Sequence, residues 1–145
     1  MSTKRSIYEE LIIESNDGVR TIDIRLGTAS IDYYEDVFSP TITAKIVVAS
    51  TGNAITGKDG KPQSIYDGLP LRGGERVSIK IAGNSETNKG LDFSTNPKDY
   101  LYVSSISNVI KQGLKEIFVI NLVSREAITN ETTRVSRKYP TSLPI

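Results

Sequence analysis

The chain contains no cysteine, no histidine and no tryptophan. Without cysteine there are no disulfides, thiolate nucleophiles or Cys/His zinc sites, and without histidine every His-based triad or general base is excluded. Carboxylate and lysine chemistry remain. Charge of one sign is also lacking: 18 basic and 17 acidic residues leave a net charge of +1. That balance gives no electrostatic footprint for nucleic acid. No apolar run approaches the roughly 18 residues of a membrane span. The opening MSTKRSIYEE has basic residues with no apolar run behind them, unlike a signal peptide. The expectation is a soluble protein made and assembled in a cytoplasm. Its 145 residues fit one domain, residues 1–145, large enough to fold without a metal or disulfide staple.

What the chain does have is alternation. From Gly27 to Ser50, two extended segments flank Ser39-Pro40. Ile31, Tyr33 and Glu35 share one side of the first, and Ile42, Ala44 and Ile46 share one side of the second, as in half-buried strands. Pro40 ends the first segment, so the pair is expected to meet at a corner packed around Phe38. Before it, IYEELIIE (Ile7 to Glu14) and RTIDIRL (Arg20 to Leu26) flank Asp17-Gly18, a hairpin signal. Ile22, Ile24 and Leu26 are expected on one face, with Asp23 and Arg25 paired on the other.

Further along, Thr51 to Gln63 is a Gly-rich loop, and Ser64 caps a helical turn in SIYDGL. ERVSIKIA (Glu75 to Ala82) alternates with Val77, Ile79 and Ile81 inward. Gly83 to Asp99 reads as a long excursion. Tyr100 to Ile110 and Glu116 to Leu122 form a hairpin across Gln112-Gly113, and SREAITNETT, from Ser124, is a helix. The sum is a mainly β, antiparallel barrel or rolled sheet of about seven strands with a flanking short helix.

Candidate chemistry is sparse. Asp32, Glu35 and Asp36 sit beside Tyr33 and Tyr34, as a glycosidase sets acids beside a sugar platform. On one strand, however, Asp32 and Asp36 would lie about 13 Å apart, too far for either stereochemical course. Gly57-Lys58 is followed by Asp59-Gly60 and does not complete a phosphate-loop pattern. Asn16-Asp17-Gly18 and Lys58-Asp59-Gly60 are turns rather than calcium loops. Arg72, Arg76, Arg134, Arg137 and Lys138 read as a solvated basic face. No catalytic, metal or cofactor site is expected, and the chain reads as a scaffold acting through sheet edges and faces. A carbohydrate- or receptor-binding β-sandwich using Tyr33, Tyr34 and Tyr66 is the alternative.

Asp23-Ile24-Arg25, IDYYEDVFSP (Ile31 to Pro40), the strand Thr41 to Ala49 and GLPLRGGERVSIKI (Gly68 to Ile81), in that order, resemble the N-terminal part of baseplate hub proteins of contractile-tailed bacteriophages. SREAITNETTRVSRKYP (Ser124 to Pro140) is similar to the helix that follows the family's first β-domain. The resemblance implies a tube domain of a trimeric hub in the virion, whose ring joins the central spike protein to the tail tube protein while DNA passes through the lumen without specific binding. It implies that residues 134–145 lead to a second tube domain that this chain does not include. Tyr33, Tyr34, Glu35, Asp36 and Arg72 are then candidates for subunit contact, Phe38 and Pro40 for the corner and core, and Lys45, Ser78 and Lys80 for a lumen face.

Overall fold

A computed structural model describes residues 4–51, 55–56, 59–69, 71–113 and 115–132. Its strands are β1 (Ile7–Glu14), β2 (Thr21–Asp23), β3 (Thr28–Tyr34), β4 (Thr43–Ser50), β5 (Ile55–Thr56), β6 (Pro62–Gln63), β7 (Arg76–Ala82), β8 (Leu91–Phe93), β9 (Leu101–Gln112) and β10 (Lys115–Val123). Helix α1 (Ile65–Gly68) and helix α2 (Arg125–Thr132) complete it, with 3-10 turns at Arg25–Gly27 and Pro97–Asp99. The main sheet runs β2-β1-β7-β9-β10-β4-β3, with β8 also on β7, and β5 pairs β6 separately. Every ladder is antiparallel.

The sheet has to roll. Seven strands at about 4.8 Å spacing would hold flat edges about 29 Å apart. Yet edge strands β2 and β3 are joined only by residues 24–27, a link that reaches at most about 17 Å. The curl also brings Tyr33 of β3 against Phe93 of β8, ring centroids 5.8 Å apart. No ladder joins β2 to β3 among the described residues, so the roll is not a closed barrel.

Alternation decides what fills it. Leu11 and Ile13, Ala44, Ile46 and Val48, Val77 and Ile79, Leu101 and Val103, and Phe118, Ile120 and Leu122 all point inward and are buried. Ile65, Leu69 and Leu71, on and just after α1, join the same core. α1 therefore plugs the roll, with Tyr66 edge-on to Phe118 at 6.1 Å. Ser64 caps α1 by accepting from the Asp67 N–H. In the β1–β2 turn, Gly18 takes the positive φ of 70° and Asp17 accepts from the Val19 N–H. Asp23 and Arg25 do pair, at 2.6 Å.

Several expectations change. Arg20 to Leu26 is not one strand: β2 stops at Asp23 and a 3-10 turn follows, so Ile24 is buried while Leu26 is wholly exposed. β3 and β4 form a hairpin with paired register rather than a corner. Phe38 is 93% exposed and Pro40 is exposed too, so neither belongs to the core. Their connection is fixed by local hydrogen bonds of Asp36 and Ser39, not by packing. The excursion at Gly83 to Asp99 contains β8, recruited by pairing with Ile79 to Ile81. Ser124 turns its hydroxyl to the Ile42 N–H of the neighbouring strand. Arg134, Arg137, Lys138 and the rest of the tail, together with Gly57-Lys58, lie outside the described residues.

Candidate functional site

The segment after β3 is built by one side chain. Asp36 Oδ1 accepts from the Phe38 N–H at 2.9 Å, its carbonyl accepts from the Ser39 N–H at 3.0 Å, and the Ser39 hydroxyl donates to the Thr41 carbonyl at 3.2 Å. This local turn satisfies the backbone without burying anything. Val37 and Phe38 are left pointing out, 91% and 93% exposed, with Tyr34 half-exposed beside them. Glu35 and Asp36 flank the pair, both exposed. Since Phe38 makes no buried contact, Phe38→Ala is expected to leave thermal unfolding within about 0.5 kcal/mol of the parent. A calorimetric scan checks this.

Tyr33 and Tyr34 point to opposite faces. Tyr33 lies over Phe93 and donates its hydroxyl to Glu35 Oε2 at 2.7 Å. Burial, then the Glu35 hydrogen bond, pushes its phenol up to about 12. A raised folded value means the contribution is complete below the ordinary phenol value near 10 and is lost as pH rises towards 12. Between those limits unfolding is favoured because only the unfolded phenol ionises. Tyr33→Phe is therefore expected to flatten the fall in melting temperature above pH 10. Parallel melts of both proteins across that range test it, and equal slopes would count against it.

The other residues expected at a surface scatter. Arg72 is exposed in the turn before β7, with no described hydrogen bond to Tyr33, Tyr34, Glu35 or Asp36. Lys45 is exposed on the outer side of β4, opposite Asp32 and Asn121. Lys80 pairs with Glu9 at 3.4 Å. Ser78 is buried and donates to Glu10 Oε1 at 2.6 Å, so it does not face open solvent as a lumen residue must.

Two buried carboxylates escaped the sequence reading. Glu75 accepts from the Arg72 and Gly73 N–H groups and locks the turn that aims β7. Glu116 reaches across to α1, with Oε1 accepting from the Ile65 N–H at 2.5 Å and the Tyr66 N–H at 3.2 Å. Its Oε2 has no hydrogen-bond partner among the described residues. The available signal was parity: Glu116 shares the inward phase of Phe118, Ile120 and Leu122.

A cavity of about 560 Å³ lies between the β1–β2 turn and α1, lined in part by Asp17, Asp59, Asp67 and Arg20. Its acids are engaged locally. Ser15 and the Val19 N–H hold Asp17 below the usual carboxylate range, and Lys111, at 2.8 Å, does the same for Asp67. Arg20 donates to the Gly68 carbonyl at 2.6 Å. Among the described residues, no group of three or more acids is placed to hold a metal ion.

At the tip of the β9–β10 hairpin lies a groove of about 340 Å³. Ile110 and Ile117 are cross-strand partners, and Ala49 is the next residue across the ladder. All three are exposed and line this groove, as does the exposed Lys115. These features define a rolled antiparallel β module with apolar side chains presented at both ends. No family model matches the chain, and no curated protein or solved structure matches it either.

Proposed function

We propose that this chain is a structural module of a contractile phage tail, a tube domain of the baseplate hub whose ring joins the central spike to the tail tube. The observation that carries the reading is the exposure of large apolar residues at both ends of the roll: Val37 and Phe38 on one connection, Ile110 and Ile117 at the opposite hairpin. Clustered apolar exposure of this kind marks surfaces meant for protein neighbours. The motifs that resemble hub proteins also fall on structurally organised parts of the chain. IDYYEDVFSP and the strand after it form the β3–β4 hairpin, and GLPLRGGERVSIKI spans the end of α1, the Glu75 turn and β7.

The carbohydrate-binding reading has less support. Tyr33 is occupied by Phe93 and Glu35, Tyr66 by Phe118 and the Lys111 ammonium 4.5 Å above its ring. Only Tyr34 offers an open face, and one ring is a poor sugar platform. Electron microscopy of the complete gene product tests the proposal. Trimeric rings of six-fold-like outline that bind tube or spike proteins are expected. A strictly monomeric product without such affinity, or glycan binding abolished by Tyr34→Ala, overturns it.

A further inference from the structure

The two exposed apolar features are complementary in shape and charge. One is a protrusion: Val37 and Phe38 at the tip of the β3–β4 connection, held outward by the Asp36 turn and flanked by the exposed carboxylates of Glu35 and Asp36. The other is a concavity of about 340 Å³ lined by Ala49, Ile110 and Ile117, with the exposed Lys115 and the buried Glu116 also in its lining. An aromatic side chain entering a groove between apolar walls is the usual anchor of a protein interface, and acid against base at the rim fixes orientation.

The two cannot meet within one chain. Tyr34 pairs Thr43 at the start of β4, whereas the groove is built around Ala49 and Ser50 at its end. Eight residues of β4 span about 25 Å at strand rise. Protrusion and groove therefore sit at opposite ends of the same hairpin, and the occupant that fits both is a second copy of this chain. We propose that copies associate head to tail, with Phe38 of one molecule seated on the Ile110–Ile117 floor of the next and Glu35 or Asp36 meeting Lys115. Such a contact uses two different surfaces, so a pair still has one tip and one groove free and a ring or stack can grow. Docking between copies draws on the same exposed residues as the proposed function but does not require that function.

The absence of cysteine makes a clean test possible. Val37→Cys and Ile117→Cys are prepared separately in the 145-residue chain, one with a mass tag, and oxidised alone and mixed. Head-to-tail docking gives a hetero-linked dimer in the mixture and little self-linking by either variant. Adding Phe38→Asp to the Val37→Cys protein is expected to lower that yield about tenfold or more, as for loss of a central aromatic anchor. Melting curves of each variant confirm that the fold is kept. Val37→Cys linking mainly to itself would mean a face-to-face contact instead. A mixture with no hetero-linked product at concentrations where the parent associates would assign the tip to another partner. Either result overturns the proposal while leaving binding to tube or spike proteins to be judged separately.

Discussion

Phe118→Ala is expected to lower the free energy of unfolding by about 3–5 kcal/mol, the range for removing a fully buried aromatic ring. Phe118 is 0% exposed at the centre of β10. Its neighbours have little freedom to fill the gap. Phe118 pairs with Val48 of β4, and its neighbours Ile117 and Val119 pair with β9 on either side of a bulge, so the backbone of β10 cannot collapse inward without breaking pairing on both sides. On the remaining side, Tyr66 packs edge-on at 6.1 Å, and it sits on a helix whose N-terminus is tied to Glu116 of the same strand. The loss should thus include a cavity term and not only the transfer of a benzyl group. Phe118→Leu, which refills most of the volume, is expected to cost much less. Urea unfolding of the three proteins at unchanged m-value measures this. A loss below about 1 kcal/mol for the alanine variant would show that α1 is not the lid of this core.

The parts of this fold legible in the sequence are those where one side chain period settles the matter. β4 and β10 alternate without interruption, and the inward residues Ala44, Ile46, Val48, Ile120 and Leu122 follow from parity alone. The glycine turns at Gly18 and Gly113 are equally local, since both need positive φ. Errors arise where a tertiary neighbour breaks the period. By sequence the alternation of β2 continues to Leu26, but the 3-10 turn rotates the chain so that Gly27 lies close against the Ala49 carbonyl, and Leu26 swings into solvent. β8 has only three residues and exists because β7 offers an unpaired stretch at Ile79 to Ile81. Phe38 is the instructive case. An aromatic next to Ser-Pro reads as a buried corner, and nothing in its type distinguishes a turn that points it in from one that points it out. Asp36 makes that decision through two hydrogen bonds. The same turn makes the segment an exposed tip rather than a packed corner, at the end of β4 opposite the groove.

Glu116→Ala is expected to be the second large loss, about 2–4 kcal/mol, although it removes a group whose burial is itself costly. Glu116 is 2% exposed and its Oε1 is the acceptor for the N–H groups of Ile65 and Tyr66, the first two residues of α1. Alanine leaves both donors unpaired beneath the helix, each costing about 1–3 kcal/mol when buried, and opens space beside Phe118. Glutamine can keep an oxygen on those donors and also removes a carboxylate whose Oε2 has no partner among the described residues. Its cost should be well under half that of alanine, because the lost charge-assisted character is offset by relief of a desolvated charge. Chemical unfolding of both variants, with amide exchange at Ile65 and Tyr66 as a local readout, tests the reasoning. Equal losses for glutamine and alanine would mean that the negative charge, and not the acceptor oxygen, holds α1 in the mouth of the roll.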